Sequence, residues 1–289
     1  MQTIGHFING ELIVDDSPTQ PVYNPSTGEV SKQVAIGGAK TIDDAVAAAK
    51  AAFPDWRKTP PLKRARIMFK FKELLERHAD EICRLIGEEH GKIVHDAAGE
   101  LQRGIENVEY ACGAPELLKG EHSRNVGPDI DSWSEFHPLG VVAGITPFNF
   151  PVMVPLWMFP MAIVCGNTFV LKPSEQNPMV TMRLVELALE AGIPKGVLNV
   201  VHGGKDTVDA ICDHPDIKAI SFVGSTAVGT HVYNRASQAG KRVQCMMGAK
   251  NHAVILPDAN KEQCLNQLAG AAFGAAGQRC MALSVVILV

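Results

Sequence analysis

A chain of 289 residues with 46% hydrophobic side chains and a formal net charge of −4 has ample apolar content for a buried core, which excludes a disordered polymer. Its lysines and arginines form no run, which excludes the electrostatic footprint of a nucleic-acid binder. The longest apolar stretch, 150–164, holds three prolines and is too short to span a bilayer. The amino-terminal MQTIGHFINGE has no apolar h-region and no Arg-rich amphipathic pattern, so a cytoplasmic protein without a targeting segment is expected. Seven scattered cysteines make no CxxC pair, which suits a reducing compartment. The histidines form no metal signature. Glu88, Glu89, His90 and His95 come nearest and read as a solvated helix end.

In chain order, helical signals dominate the first third. An acidic first turn and an alanine run predict a helix over 41–53. Apolar residues at three- and four-residue spacing (Ile67, Phe71, Leu74, Leu75, Ile82, Leu85, Ile86) predict one over 62–86, and 92–118 reads as a third. A polar, turn-rich patch follows at 120–128. From Glu135 the period changes. Strands at 140–145, 168–171, 197–201 and 219–223 alternate with helices at 152–164, 179–191, 207–212 and 227–239. Strands at 243–246 and 253–256 and a helix at 258–276 complete the reading. The alternation predicts an α/β fold with a doubly wound parallel sheet, whose ligands sit beyond the carboxyl ends of strands. No internal repeat interrupts it.

The loops at those ends carry the chemistry. FVGSTAVG, 222–229, is a strand, a turn and a helix start. It reads either as a phosphate site with a hydroxyl from Ser225 or Thr226, or as an ordinary turn capped by Thr226. It is not GxGxxG, and Gly203-Gly204-Lys205-Asp206 is not a Walker A loop. KPSEQ, 172–176, offers Glu175 either to ribose hydroxyls or to the first turn of a helix. Asn149, within TPFNFP, either caps the next helix or donates to an oxyanion. Cys280, beside Arg279 and near a helix end, is either a thiolate nucleophile or a small core residue.

TPFNFP, KPSEQNP, FVGSTAVG and GQRCMA, in this order and at these separations, resemble the aldehyde dehydrogenase superfamily over essentially the whole chain. The resemblance implies that Cys280 is the nucleophile, and that Asn149 and the Cys280 backbone N–H form the oxyanion hole. It implies NAD as cofactor, with Lys172 and Glu175 at the adenosine ribose, Ser225 at the pyrophosphate and Thr146 and Phe148 beside the nicotinamide. Gln176 and Met247 join the cofactor set. The implied domains are an NAD-binding unit (1–117 and 138–248), an oligomerisation hairpin (118–137) and the start of a catalytic unit (249–289), assembled as a homodimer or homotetramer.

Two departures narrow the resemblance. Most aldehyde dehydrogenases carry Glu-Leu-Gly-Gly-Lys before the cysteine loop, where the glutamate activates water; here Met246-Met247-Gly248-Ala249-Lys250 stands there. General-base help is worth roughly 10²–10⁴-fold, so without it hydrolysis of an acyl-enzyme is slow, and a thiol such as coenzyme A is the expected acceptor. Arg103 and Arg279 supply planar forks for a substrate carboxylate, although Arg103 alone also reads as a surface ion-pair partner. The pattern is similar to the CoA-acylating methylmalonate-semialdehyde dehydrogenases, which oxidise methylmalonate or malonate semialdehyde to propionyl-CoA or acetyl-CoA with loss of CO2, in valine and inositol breakdown. Family members continue well past the cysteine loop. The expectation is therefore a fragment of a longer enzyme, with a CoA-independent dehydrogenase and a non-catalytic nucleotide-binding protein as alternatives.

Overall fold

The computed structural model describes residues 2–14 and 16–289. Five short strands open it: β1 (Thr3–Ile4), β2 (His6–Ile8), β3 (Glu11–Ile13), β4 (Thr19–Tyr23) and β5 (Val30–Ala35). The helical reading of the first third misses all five. Each has six residues or fewer, too short for alternation to show, and several pair with distant segments. One local signal was there to be read. Asn9-Gly10, both at positive φ, closes β2 onto β3, as an Asn-Gly pair does in a two-residue hairpin turn.

Helices α1 (Ala39–Lys58), α2 (Pro61–Arg77), α3 (Ala79–His90), α4 (Val94–Cys112) and α5 (Ala114–Leu117) follow. The helix predicted over 62–86 is two helices, broken at His78 (φ −100°, ψ 17°). The apolar period runs through the break because Leu75 and Ile82 are one heptad apart, which keeps one face in register. The helix predicted over 92–118 is likewise α4 and the single turn α5. Within the patch read as turns lies β6 (His122–Gly127), paired antiparallel with β7 (Ile130–Trp133). Almost every residue of this hairpin is exposed, so no alternation marks it.

The second half alternates as expected: β8 (Val141–Ile145), α6 (Met153–Val164), β9 (Thr168–Lys172), α7 (Pro178–Ala191), β10 (Leu198–Val200), α8 (Lys205–Asp213), β11 (Ile217–Val223), α9 (Thr226–Gln238) and β12 (Arg242–Met246). These strands form a parallel sheet in the order β12-β11-β8-β9-β10, extended antiparallel by β2 and β3. Strand order reverses between β8 and β11, which opens a crevice at their carboxyl ends.

Period-two patterning separates two cores. Val141, Ala143 and Ile145 of β8 join one apolar cluster with Ile42 and Val46 of α1, Ile211 of α8 and Val232 of α9. Val142, Phe169 and Leu171 join the other with α2, α4, α6 and α7. In the latter, Phe159 packs between Phe71 and Phe169 with tilted rings at centroid distances of 5.8 and 6.5 Å, and each such burial contributes about 1.5–3 kcal/mol. Where α4 crosses α6, a Cβ at Gly104 would lie 2.7 Å from Leu156 Cδ1, so the bare glycine lets the two helices approach.

The chain closes with β13 (Asn251–Ile255), α10 (Lys261–Phe273), a 3-10 turn at Gly274–Gly277 and β14 (Leu283–Leu288). β13 and β14 pair in parallel as a separate two-stranded sheet. No residue of α10 is buried, and Leu265, Phe273, Leu288 and Val289 are exposed.

Candidate active site

Two neighbouring cavities with a common wall lie at the carboxyl ends of β8 and β11, and a third, between α4, α6 and the cysteine loop, shares Arg279 and Cys280 with the second. The first, of about 590 Å³, sits at the strand-order reversal and is lined by Thr146, Phe148, Lys172, Glu175, Gln176 and Ser225 among others. Lys172 ends β9 and is buried; its Nζ donates to Glu175 Oε2 at 3.1 Å and to Gly203 O at 2.9 Å. Burial pushes the Lys172 ammonium below the usual lysine range, with the Glu175 carboxylate opposing that shift. Ser225, rather than Thr226, is the N-cap of α9, accepting from Val228 N at 3.4 Å. A Cβ on Gly229, in the first turn of α9, would lie 2.7 Å from Met247 Cγ, so this helix start sits tight against the segment after β12. The buried Thr146 hydroxyl has no hydrogen-bond partner among the described residues.

A second cavity, of about 510 Å³, joins Phe148, Asn149, Ser225 and Met247 to Gln278 and Cys280. A third, of about 500 Å³, holds Arg103, Phe150, Trp157, Arg279 and Cys280. Cys280 thus forms part of the wall of both. It is exposed, and all seven cysteines are free thiols. It follows a sharp reversal in which Ala275, Ala276 and Gly277 all take positive φ. Left-handed backbone costs an alanine about 1–2 kcal/mol, so the surrounding contacts hold this loop in place. Two of them are visible: Asn251 Nδ2 donates to Cys280 O at 2.9 Å, and Asn149 Nδ2 donates to Gln278 O at 2.8 Å. Asn149 does not cap α6; the N-cap there is Val152, and the Asn149 amide faces the cysteine loop.

The loop bearing Asn149 is anchored by residues that the sequence reading passed over. Glu100 Oε1 accepts from Val152 N and Met153 N at 2.9 and 3.2 Å, so a carboxylate from α4 satisfies the start of α6. Its other oxygen meets Lys92 Nζ at 2.5 Å, and Lys92 also donates to Asn149 O at 2.6 Å, with its Nζ 3.9 Å from the Phe150 ring centroid. Both side chains are essentially inaccessible. Burial lowers the Lys92 pKa, and Glu100 counters that. No local sequence pattern announces this pair, because its purpose lies some fifty residues away.

The arginines reach the same cavity in different states. The Arg103 side chain is exposed, its Nε lies 3.2 Å from Met153 Sδ, and no acidic group pairs with it among the described residues. Arg279 Nη2 instead meets Asp96 Oδ2 at 2.5 Å, a partner that the sequence reading did not foresee. The expected solvated end of α3 is also corrected. Glu89 turns inward, its carboxylate accepting from Met179 N and Val180 N at the start of α7 at 3.1 and 3.3 Å, and burial pushes its carboxyl up to about 7. His90 stacks on Phe148 at 6.3 Å with both ring nitrogens buried, and burial lowers its pKa to about 4. Met246 ends β12, half-exposed and without acid–base chemistry. Among the described residues, no helix is long and apolar enough to cross a membrane.

The fold is a doubly wound α/β sheet with a cavity at its strand-order reversal, followed by a second cavity and an arginine-lined third that share Cys280 in their walls. The aldehyde dehydrogenase family profile matches residues 13–289. The chain belongs to the aldehyde dehydrogenase family. It is 59% identical, over its full length, to a malonate-semialdehyde dehydrogenase of Pseudomonas aeruginosa, of which it covers 58%. It is 52% identical to the acylating, mitochondrial methylmalonate-semialdehyde dehydrogenase of Arabidopsis thaliana, with 99% of this chain and 47% of that protein aligned. The crystal structure of methylmalonate-semialdehyde dehydrogenase from Oceanimonas doudoroffii superposes with a TM-score of 0.98 at 67% identity, covering all of this chain and 59% of that one. A Sinorhizobium meliloti structure solved in complex with NAD superposes equally well, TM-score 0.98 at 50% identity, covering 100% and 59%. The chain therefore spans about three-fifths of the length of the bacterial relatives and about half that of the plant one.

Proposed function

We propose that this chain carries the cofactor-binding and nucleophile-bearing part of an NAD-dependent, CoA-acylating methylmalonate- or malonate-semialdehyde dehydrogenase. The observation that carries the reading is the position of Cys280, on the shared boundary of the nucleotide-sized cavity system and the arginine-lined one. The nucleotide-sized cavity fits NAD chemically. Glu175 is a ribose acceptor, the α9 start a phosphate site, and the unpartnered Thr146 hydroxyl a buried polar group in need of a ligand. Gln176 and Met247 complete that set. Bound there, NAD would supply the hydride acceptor.

The chain's own residues do the rest. The Cys280 sulfur attacks the aldehyde carbon. One N–H of the Asn149 amide is held by Gln278 O, which leaves the other free to donate to the developing oxyanion together with the Cys280 backbone N–H. Arg103 and Arg279 orient the carboxylate of the semialdehyde. After oxidation, Cys280 holds an acyl thioester, and Met246 provides no base for water. Coenzyme A therefore takes the acyl group by thiol exchange, and the Cys280 thiolate leaves. A carbonyl β to the carboxylate allows CO2 to depart, its electron pair passing into an enolate that is then protonated. Residues 1–117 and 138–248 are assigned to the NAD-binding unit and 249–289 to the start of a catalytic unit. The hairpin at 118–137 is assigned to self-association, which its exposed Trp133 and Phe136 support.

The test is the purified chain with malonate semialdehyde and NAD⁺, with and without CoA. NADH formation that depends on CoA and vanishes in Cys280→Ala is expected. Free acid released as fast without CoA as with it would overturn the acylating reading in favour of a CoA-independent dehydrogenase. A second reading, binding of NAD without turnover, is favoured by the fully unburied α10. It predicts micromolar-range NAD affinity by calorimetry with no NADH from either mixture.

A further inference from the structure

The arginine-lined cavity contains an uneven set of charges. Lys92 is neutralised by Glu100, and Arg279 by Asp96. Arg103 alone lacks an acidic partner among the described residues; it touches Met153 Sδ, and its guanidinium lies 5.9 Å from the Phe150 ring centroid. By formal charge the cavity thus holds two neutral pairs and one unmatched cation. Asp96 decides that balance, for without it two arginines would face the same space. Its carboxylate and the Arg279 guanidinium are only 21% and 27% exposed, so water screens them incompletely.

We propose that Asp96 is a specificity-determining residue: by neutralising Arg279 it leaves the cavity one surplus positive charge, on Arg103, and so favours a small acyl compound with one carboxylate over one with two. The inference rests on reading this cavity as a carboxylate site. One carboxylate beside Arg103 completes a neutral assembly. A second finds no surplus cation, because the Arg279 charge is already matched by Asp96, and the attraction so withheld is worth roughly 3- to 30-fold in affinity at the dielectric of a partly exposed site. Asp96 also holds the Arg279 fork against α4, one residue from the nucleophile.

The test uses the whole chain and does not require turnover. Iodoacetate and iodoacetamide alkylate a thiol by the same displacement, in which the Cys280 sulfur bonds to carbon as the C–I bond breaks and iodide leaves. One reagent carries a carboxylate; the other is its neutral isostere. The ratio of their rates at Cys280, followed by mass spectrometry of its peptide, cancels changes in thiol ionisation. Asp96→Asn should raise the iodoacetate-to-iodoacetamide ratio roughly 3- to 10-fold, and Asp96→Glu should stay near the parent value because it keeps the charge. Arg103→Leu should lower the ratio. An unchanged or lower ratio in Asp96→Asn, with Arg103→Leu still lowering it, overturns the role of Asp96 alone. No change in Arg103→Leu overturns the carboxylate reading beneath it. Independently of any variant, propionate should protect Cys280 of the parent chain from iodoacetamide at lower concentration than malonate does, and the reverse order overturns the proposal.

Discussion

At the scale of single residues, Asn149 illustrates how one residue is held from two directions. Its side-chain amide donates to Gln278 O at 2.8 Å, while its backbone carbonyl accepts from Lys92 Nζ. Side chain and backbone are thus both fixed before any substrate arrives, which is what an oxyanion donor requires, since preorganised dipoles need no reorganisation during the reaction. In the proposed reaction, Asn149→Ala should lower kcat by roughly 10²–10³ with little change in KM. Steady-state kinetics with malonate semialdehyde would check it, and a loss smaller than about tenfold would count against the oxyanion role.

At the scale of elements, two carboxylates from one part of the chain cap two helices of another. Glu100 satisfies the start of α6 and Glu89 the start of α7, so α3 and α4 place the loops that flank the cavities. Their electrostatics differ. Glu100 has Lys92 beside it, whereas Glu89 has two backbone N–H groups and a carboxyl pushed by burial up to about 7 from an ordinary value of 4.5. The folded state therefore binds more protons than the unfolded one between those two values, and stability falls as pH rises through that window. Below it both states are protonated and the effect is fully present; above it both are ionised and it is lost. Glu89→Gln should flatten the dependence of Tm on pH across this range, measured by thermal melts in matched buffers. A slope equal to that of the parent would assign the dependence to other groups.

At the scale of the whole molecule, apolar surface is unevenly distributed. The two sides of the main sheet are sealed by helices, while the β6–β7 hairpin and the β13–α10–β14 unit leave Trp133, Phe136, Leu265 and Phe273 exposed. Exposed large apolar patches mark contact surfaces. If the hairpin mediates self-association, replacing Trp133 and Phe136 together by glutamate should shift the chain toward monomer in sedimentation velocity while leaving the NAD-binding unit folded. An unchanged oligomer distribution would remove the hairpin from that role.

The strand–helix alternation of the second half was legible in the sequence because its elements are marked locally: β8 and the centre of β9 are short apolar runs buried on both faces, α6 is apolar throughout its length, and α7 carries polar residues among its buried ones. Lys172, Glu175, Ser225, Asn149 and Cys280 were singled out by the order and separation of four motifs rather than by any one of them, and the structure brings the first three to one cavity and Asn149, Ser225 and Cys280 to its neighbour. Apart from the Asn9-Gly10 turn, the five opening strands left no local pattern, being short, and the β6–β7 hairpin, solvated on both faces, was expected from the family resemblance and not from any alternation of its own. Tertiary structure alone decided the charge balance. That Glu100 pairs with Lys92, that Arg279 is held by Asp96 and that Arg103 is left unmatched depends on the packing of α4 against α6 and on the path of the cysteine loop. Local periods are written residue by residue along the chain. The partner of a charge is set by which surfaces meet through space, and neither the separation of 8 residues from Lys92 to Glu100 nor that of 183 from Asp96 to Arg279 carries a mutual pattern from which that could be read.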